Sequence, residues 1–125
     1  MVTQQKGGVR VKVIIAGSRT IIDYAYVKQV IINSGWIDEI TEIVSGMARG
    51  VDTLGIRFAK ENDIPVKEFP AKWYVYGQLA GYKRNREMAV YSDRLIAIHS
   101  DDSKGTKHMI HTMHEMGKPI FVNKC

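Results

Sequence analysis

The sequence predicts one α/β domain: a Rossmann-like three-layer fold, with a five-stranded parallel sheet in the order 3-2-1-4-5 and helices on both faces. Three observations predict it. Short β-branched runs alternate with amphipathic segments along the whole chain. Each run stops at a glycine-bearing or polar turn. The length, 125 residues, suits a single core. Strands that alternate with helices build a parallel sheet covered on both faces, and right-handed crossovers leave few topologies.

The elements follow in order. Val11 to Ala16 is a β-branched run that ends at Gly17 and reads as a strand. Asp23 to Asn33 has Tyr26, Val27, Val30 and Ile31 at helical spacing, Asp23 as N-cap, and Ser34-Gly35 as its stop. Glu39 to Val44 is the second strand and Val51 to Asn62 the second helix. Pro65 precedes a short third strand, Val66 to Phe69. Pro70 to Tyr82 holds four aromatics and two glycines without a clear period and reads as an irregular segment. Lys83 to Tyr91 is the third helix, Arg94 to Ile98 the fourth strand, and Ser100 to Ser103 a polar turn. Lys104 to Met116 is the fourth helix, with Met109, Ile110, Met113 and Met116 as its core stripe. Gly117 ends it, and Pro119 to Val122 is the fifth strand. The domain is expected over residues 11–125, after a polar leader over 1–10.

Composition narrows the class. Hydrophobic residues at 45% and charged residues at 25% exclude a disordered polymer. No apolar run approaches the roughly 18 residues of a membrane span. The polar start lacks an apolar signal core, and the one cysteine, Cys125, excludes an intrachain disulfide. A cytoplasmic protein without a membrane partner is expected. Eighteen Lys and Arg against 13 Asp and Glu give a net charge of +5, which favours anionic partners.

In a sheet of this order, ligands sit beyond the carboxyl ends of the strands, where the chain order reverses. Four loops reach that edge. They are Gly17-Ser18-Arg19-Thr20, Ser45 to Asp52, Gly81 to Arg86, and Ser103-Lys104-Gly105-Thr106. Each combines glycine with a hydroxyl or a cation, and three lead into helices. Glycine admits close approach of backbone N–H groups, and a helix start offers free N–H groups and a positive dipole end. Hydroxyls and cations complete an anion site. No Walker loop is present, and Gly46 and Gly50 give G-x-x-x-G rather than the dinucleotide G-x-G-x-x-G.

These four blocks resemble the signature blocks of the SLOG superfamily, nearest to the small YspA/YpsA-related proteins of bacteria and phages. The resemblance spans Val11 to Val122. It implies a Rossmann-like domain associated with nucleotides or nucleotide derivatives, among them NAD-derived signals. It further implies that Gly46, Arg49, Gly50, Gly105 and Thr106 line a phosphate and ribose site. Relatives include the LOG phosphoribohydrolases and DprA, which binds single-stranded DNA. LOG enzymes carry G-G-x-G-T-x-x-E with a catalytic glutamate; here Met109 holds that position. Methionine is neither acid nor base.

The expected ligand contacts are therefore Gly17, Ser18, Arg19, Ser45, Gly46, Arg49, Gly50, Asp52, Trp73, Arg84, Asn85, Ser103, Lys104, Gly105 and Thr106. The phosphate is expected on the starts of the second and fourth helices, with Arg49 and Lys104 as cations. Asp52 is the best-placed carboxylate, as a ribose acceptor or general base. Trp73 is the aromatic expected against a base, and Arg84 rather than Arg86 faces inward, with Asn85 as a cap or contact. His108, His111 and His114 fan over about 120° of helix, so a metal site is not expected. A small nucleotide-type ligand is the expected partner, with no required cofactor. Two alternatives stand beside it. One is a nucleotide N-glycosidase with a carboxylate other than the LOG glutamate. The other is DprA-like binding of single strands through Lys72, Lys83, Arg84, Arg86 and the interleaved aromatics. SLOG relatives dimerise, so a homodimer is also in view.

Overall fold

The computed structural model describes residues 9–100 and 103–124. Most of the expected leader, part of the polar turn before the last helix, and Cys125 lie outside the described residues. Five strands form one sheet: β1 (Lys12–Gly17), β2 (Glu42–Ser45), β3 (Val66–Glu68), β4 (Arg94–His99) and β5 (Ile120–Lys124). Their order is β3-β2-β1-β4-β5, and all four pairings are parallel. The helices are α1 (Tyr24–Asn33), α2 (Val51–Glu61), α3 (Trp73–Tyr76), α4 (Ala80–Tyr91) and α5 (Lys104–Glu115).

Strand periodicity divides the core in two. On β1, Val13 and Ile15 face the layer of α1 and α2, while Ile14 and Ala16 face α4 and α5. On β4, Ile96 and Ile98 take the first face, and Leu95 and Ala97 the second. These residues are buried on both faces, as continuous apolar runs in a parallel sheet require. Met109 and Met113 fill the second face, so the helical stripe read from sequence is core. Asp23 caps α1 by accepting from the Tyr26 N–H at 3.3 Å.

Two elements differ from the sequence reading. The second strand starts at Glu42, not Glu39. Residues 37–39 form a turn, closed by the Glu39 N–H on the Trp36 carbonyl at 2.8 Å. Thr41 ties in beside it, accepting from the Val11 N–H at 2.8 Å. The segment expected to be irregular, 70–82, instead carries α3, a 3₁₀ turn (Gly77–Leu79) and the first turn of α4. No side chain caps α3 or α4, so the sequence carried no start signal there. None of the helices is long and apolar enough to cross a membrane, among the described residues.

Candidate functional site

β1 lies between β2 and β4, so the chain order reverses beside it. The helix after β1 covers one face of the sheet, and the helix after β4 covers the other. Their separation opens a cleft of about 390 Å³ at the carboxyl ends of β1 and β4. Gly17, Ser18, Arg19, Asp52, Arg84, Asn85, Ser103, Lys104, Gly105 and Thr106 line it. These ten residues were expected from sequence. Ala16, Thr20, Ala48, Met88 and Met109 complete the wall and were not expected as lining. Met109 did carry a signal, through its place in the glycine-rich block, but small and apolar wall residues have none of their own.

The glycines divide by what surrounds them. A Cβ on Gly17 would stand 1.9 Å from the Ile98 carbonyl oxygen, so β1 and β4 need this glycine to approach. Gly50 has φ of +76°, and a Cβ there would meet the Ser18 carbonyl at 2.3 Å. The chain's own packing therefore accounts for both, and Gly50 does not line the cleft. Gly105 differs: a Cβ there meets nothing within 4 Å. Its missing side chain leaves backbone open to the cleft rather than to the protein.

The two helix starts also differ. At α2 the Val51 N–H already donates to the Ser18 carbonyl, at 3.2 Å. Asp52 sits in that first turn, with its carboxylate accepting from the Ala48 N–H at 3.3 Å. An anion there would meet a carboxylate, so the expected phosphate seat on this helix is taken by the chain itself. At α5 the Ser103 side chain makes no capping bond. Its hydroxyl donates instead to Thr106 Oγ1 at 2.6 Å. Among the described residues no side chain caps the α5 start, and Ser103, Lys104, Gly105 and Thr106 line the cleft beside it.

Other expected contacts have work inside the fold. The Ser18 hydroxyl accepts from the Ser100 N–H at 2.9 Å and lies 3.0 Å from the Ser100 hydroxyl. Ser45 is buried, accepts from the Met47 N–H at 3.1 Å, and lies outside the cleft. Asn85 is interior to α4, because that helix begins at Ala80, so it is not a cap. Its amide nitrogen donates to the Gly105 carbonyl at 3.1 Å and faces His108 Nδ1 at 3.2 Å. Its oxygen accepts from Arg84 Nε at 3.0 Å. Asn85 therefore fixes Arg84 and joins α4 to the start of α5.

Arg84 reaches inward, as expected, and donates to the Gly46 carbonyl at 2.5 Å. Asp52 is 5% exposed. Burial pushes its carboxyl up to about 6, against the N–H groups of Ala48 and Gly17 and the charges of Arg84 and Arg19. Burial also lowers the Arg84 pKa; the Asp52 charge opposes this and the Arg19 charge adds to it. Desolvation thus outweighs their mutual attraction in both groups, while the Arg84 guanidinium stays charged.

Arg49, Gly46 and Trp73 line a second, adjoining cleft of about 270 Å³ instead. Met47, Ala48, Pro70 and Ala71 complete it, and Arg19 and Arg84 border both clefts. Arg49 and Lys104, expected around one phosphate, are therefore apart. The aromatics of 73–82 are partly exposed, Trp73 at 50% and Tyr74 at 90%, and the Tyr82 ring tilts against His108 at 4.5 Å. His111 and His114 face solvent, and His111 pairs with Glu115 at 3.3 Å.

Fold and cleft define a Rossmann-like α/β domain with a cation-rich crevice at its topological switch point. Within that class the chain belongs to the YspA, cpYpsA-related SLOG family (YAcAr), whose profile matches residues 11–76. The match takes in the β1 and β2 loops; Arg84 and the α5 start lie beyond it. No curated protein matches the chain. Among solved structures it is similar to DNA processing protein A (DprA) from Streptococcus pneumoniae, with a TM-score of 0.73 and 22% identity. That likeness is one of fold. It covers 90% of this chain and 50% of the other, so the present chain spans half the length of that protein.

Proposed function

We propose that this domain binds a nucleotide or nucleotide derivative, with a phosphate seated at the open start of α5. One observation carries the reading: an uncapped helix start, a glycine with empty space before it, and Lys104, Arg19 and Arg84 share one cleft. Membership in a SLOG family supports it. Lys104 and Arg19 hold the phosphate oxygens, Thr106 adds a hydroxyl, and Asp52 accepts from a ribose hydroxyl when ionised. The reading needs no bound cofactor. Calorimetric titration with a panel of nucleoside monophosphates tests it. Replacing Arg19 or Lys104 by Ala removes a charge-assisted bond, about 1.5–3 kcal/mol, so affinity falls roughly 10- to 100-fold. Binding undiminished in both variants would sink the phosphate assignment.

A second reading is favoured by Asp52 alone. It is the one carboxylate on the cleft wall among the described residues, and burial pushes its carboxyl up to about 6. A buried acid of that kind can exchange protons at neutral pH. We infer an N-glycosidase activity from it only if free base is released from a nucleoside monophosphate and Asp52→Asn abolishes the release. The LOG-type glutamate does not supply this chemistry, because Met109 stands in its place, 1% exposed in the core.

A further inference from the structure

We propose that the apolar shoulder formed by residues 73–82 is a docking surface for an acidic segment of another protein, one that carries apolar side chains among its Asp and Glu residues. The proposal is independent of the nucleotide reading: of the shoulder's large side chains, only Trp73 lines either cleft. The shoulder has the composition of a core and the exposure of a surface. Trp73, Tyr74, Val75, Tyr76, Leu79 and Tyr82 are 42–90% exposed. Neither α3 nor the 3₁₀ turn after it buries a residue. Two contacts lay α3 against the start of α4. A Cβ on Gly81 would come within 3.3 Å of the Trp73 ring, and Lys83 Nζ stands 4.9 Å from the centre of the Tyr76 ring. The six side chains therefore form one patch, and an exposed apolar patch on the order of several hundred Å² marks an interaction site.

Charge selects the partner. From Phe69 to Arg86 the chain has no Asp or Glu, while it has Lys72, Lys83, Arg84 and Arg86. Arg84 turns into the fold and donates to the Gly46 carbonyl. Lys72, Lys83 and Arg86 are exposed, and none of the three forms an ion pair, among the described residues. An aromatic centre with a charged rim is the anatomy of a protein interface. Carboxylates on the partner complement this rim. They also accept from the tyrosine hydroxyls that the contact desolvates. A second copy offers the same apolar area, but isologous pairing brings like charges together. A nucleic-acid strand matches the cations and stacks on the rings, yet it leaves Val75 and Leu79 without an apolar partner. An acidic segment with apolar anchors satisfies centre and rim together.

The test selects a displayed library of random peptides against the full chain, then titrates the enriched sequences by calorimetry. Peptides with Asp and Glu around Leu, Phe or Trp anchors are expected to be enriched. Tyr74→Ser combined with Leu79→Ser, both outside the two clefts, is expected to weaken them roughly tenfold or more. Lys72→Glu combined with Lys83→Glu is expected to do the same from the rim. All four side chains are exposed, so both variants are expected to keep the melting temperature and the nucleotide affinity of the parent. A failure here is thereby distinguishable from a failure of the nucleotide reading. No enrichment, enrichment without acidic bias, or unchanged affinity in either variant overturns the proposal. Binding of phosphatidylserine vesicles, or of a single-stranded oligonucleotide, in place of peptides overturns it in favour of that surface. A concentration-dependent dimer that the Tyr74→Ser, Leu79→Ser variant abolishes overturns it in favour of self-association.

Discussion

Asp52 stores a measurable pH dependence. Its carboxyl is raised to about 6 by burial in the folded protein, against about 4 when exposed. The folded state therefore holds this proton more tightly than the unfolded chain. Its contribution to stability is greatest below about pH 4 and is lost as pH rises to about 6, a decline on the order of 2–3 kcal/mol. Denaturant unfolding across pH 4 to 7 should show that decline, and Asp52→Asn should flatten it. Gly105 offers an independent check. Alanine there meets empty space and should stabilise the fold by about 0.5–1 kcal/mol. If the space belongs to a phosphate, the same Gly105→Ala variant melts higher and binds nucleotide more weakly. A variant that gains stability without losing affinity would place the ligand elsewhere.

At the scale of elements, alternating apolar runs revealed the order and polarity of the sheet, because period and turn chemistry are local. Lateral position was less legible. Arg49 and Lys104 each follow a strand and each begins near a helix, yet they line different clefts. The β1 loop crosses the α2 start, where the Val51 N–H meets the Ser18 carbonyl, and no local pattern announces that crossing. The role of Asn85 was hidden for a related reason: it depends on where α4 begins, and that helix has no capping residue. Lys118 had no signal at all. Its ammonium donates to the carbonyls of Ala89, Val90 and Ser92 at 2.7, 3.2 and 2.7 Å. It thereby satisfies the end of α4 from outside the helix. Lys118→Met keeps the stem and removes three charge-assisted bonds. A loss of about 1.5–3 kcal/mol is expected, read as a lower denaturation midpoint with an unchanged m-value.

For the whole molecule, the apolar helix stripes are spent on the two core faces. A homodimer would have to use other surface, and Trp73, Tyr74, Val75, Tyr76, Leu79 and Tyr82 supply exposed apolar area around α3. The chain carries an excess of five positive charges, and the cleft wall sets three cations against one carboxylate, among the described residues. Any bound anion should thus act on global stability. A nucleotide at 100 times its dissociation constant adds about 2.7 kcal/mol, a rise of several degrees for a domain of this size. The rise should shrink in high salt, where exposed cations are screened. One side chain ties the walls of the two clefts together. The Asn85 amide grips the first turn of α5 with its nitrogen and the Arg84 guanidinium with its oxygen. Arg84 in turn holds the loop after β2 through Gly46. The start of α5 and the loop after β2 therefore hang on one chain of three hydrogen bonds, and Asn85→Ala cuts two of them at once.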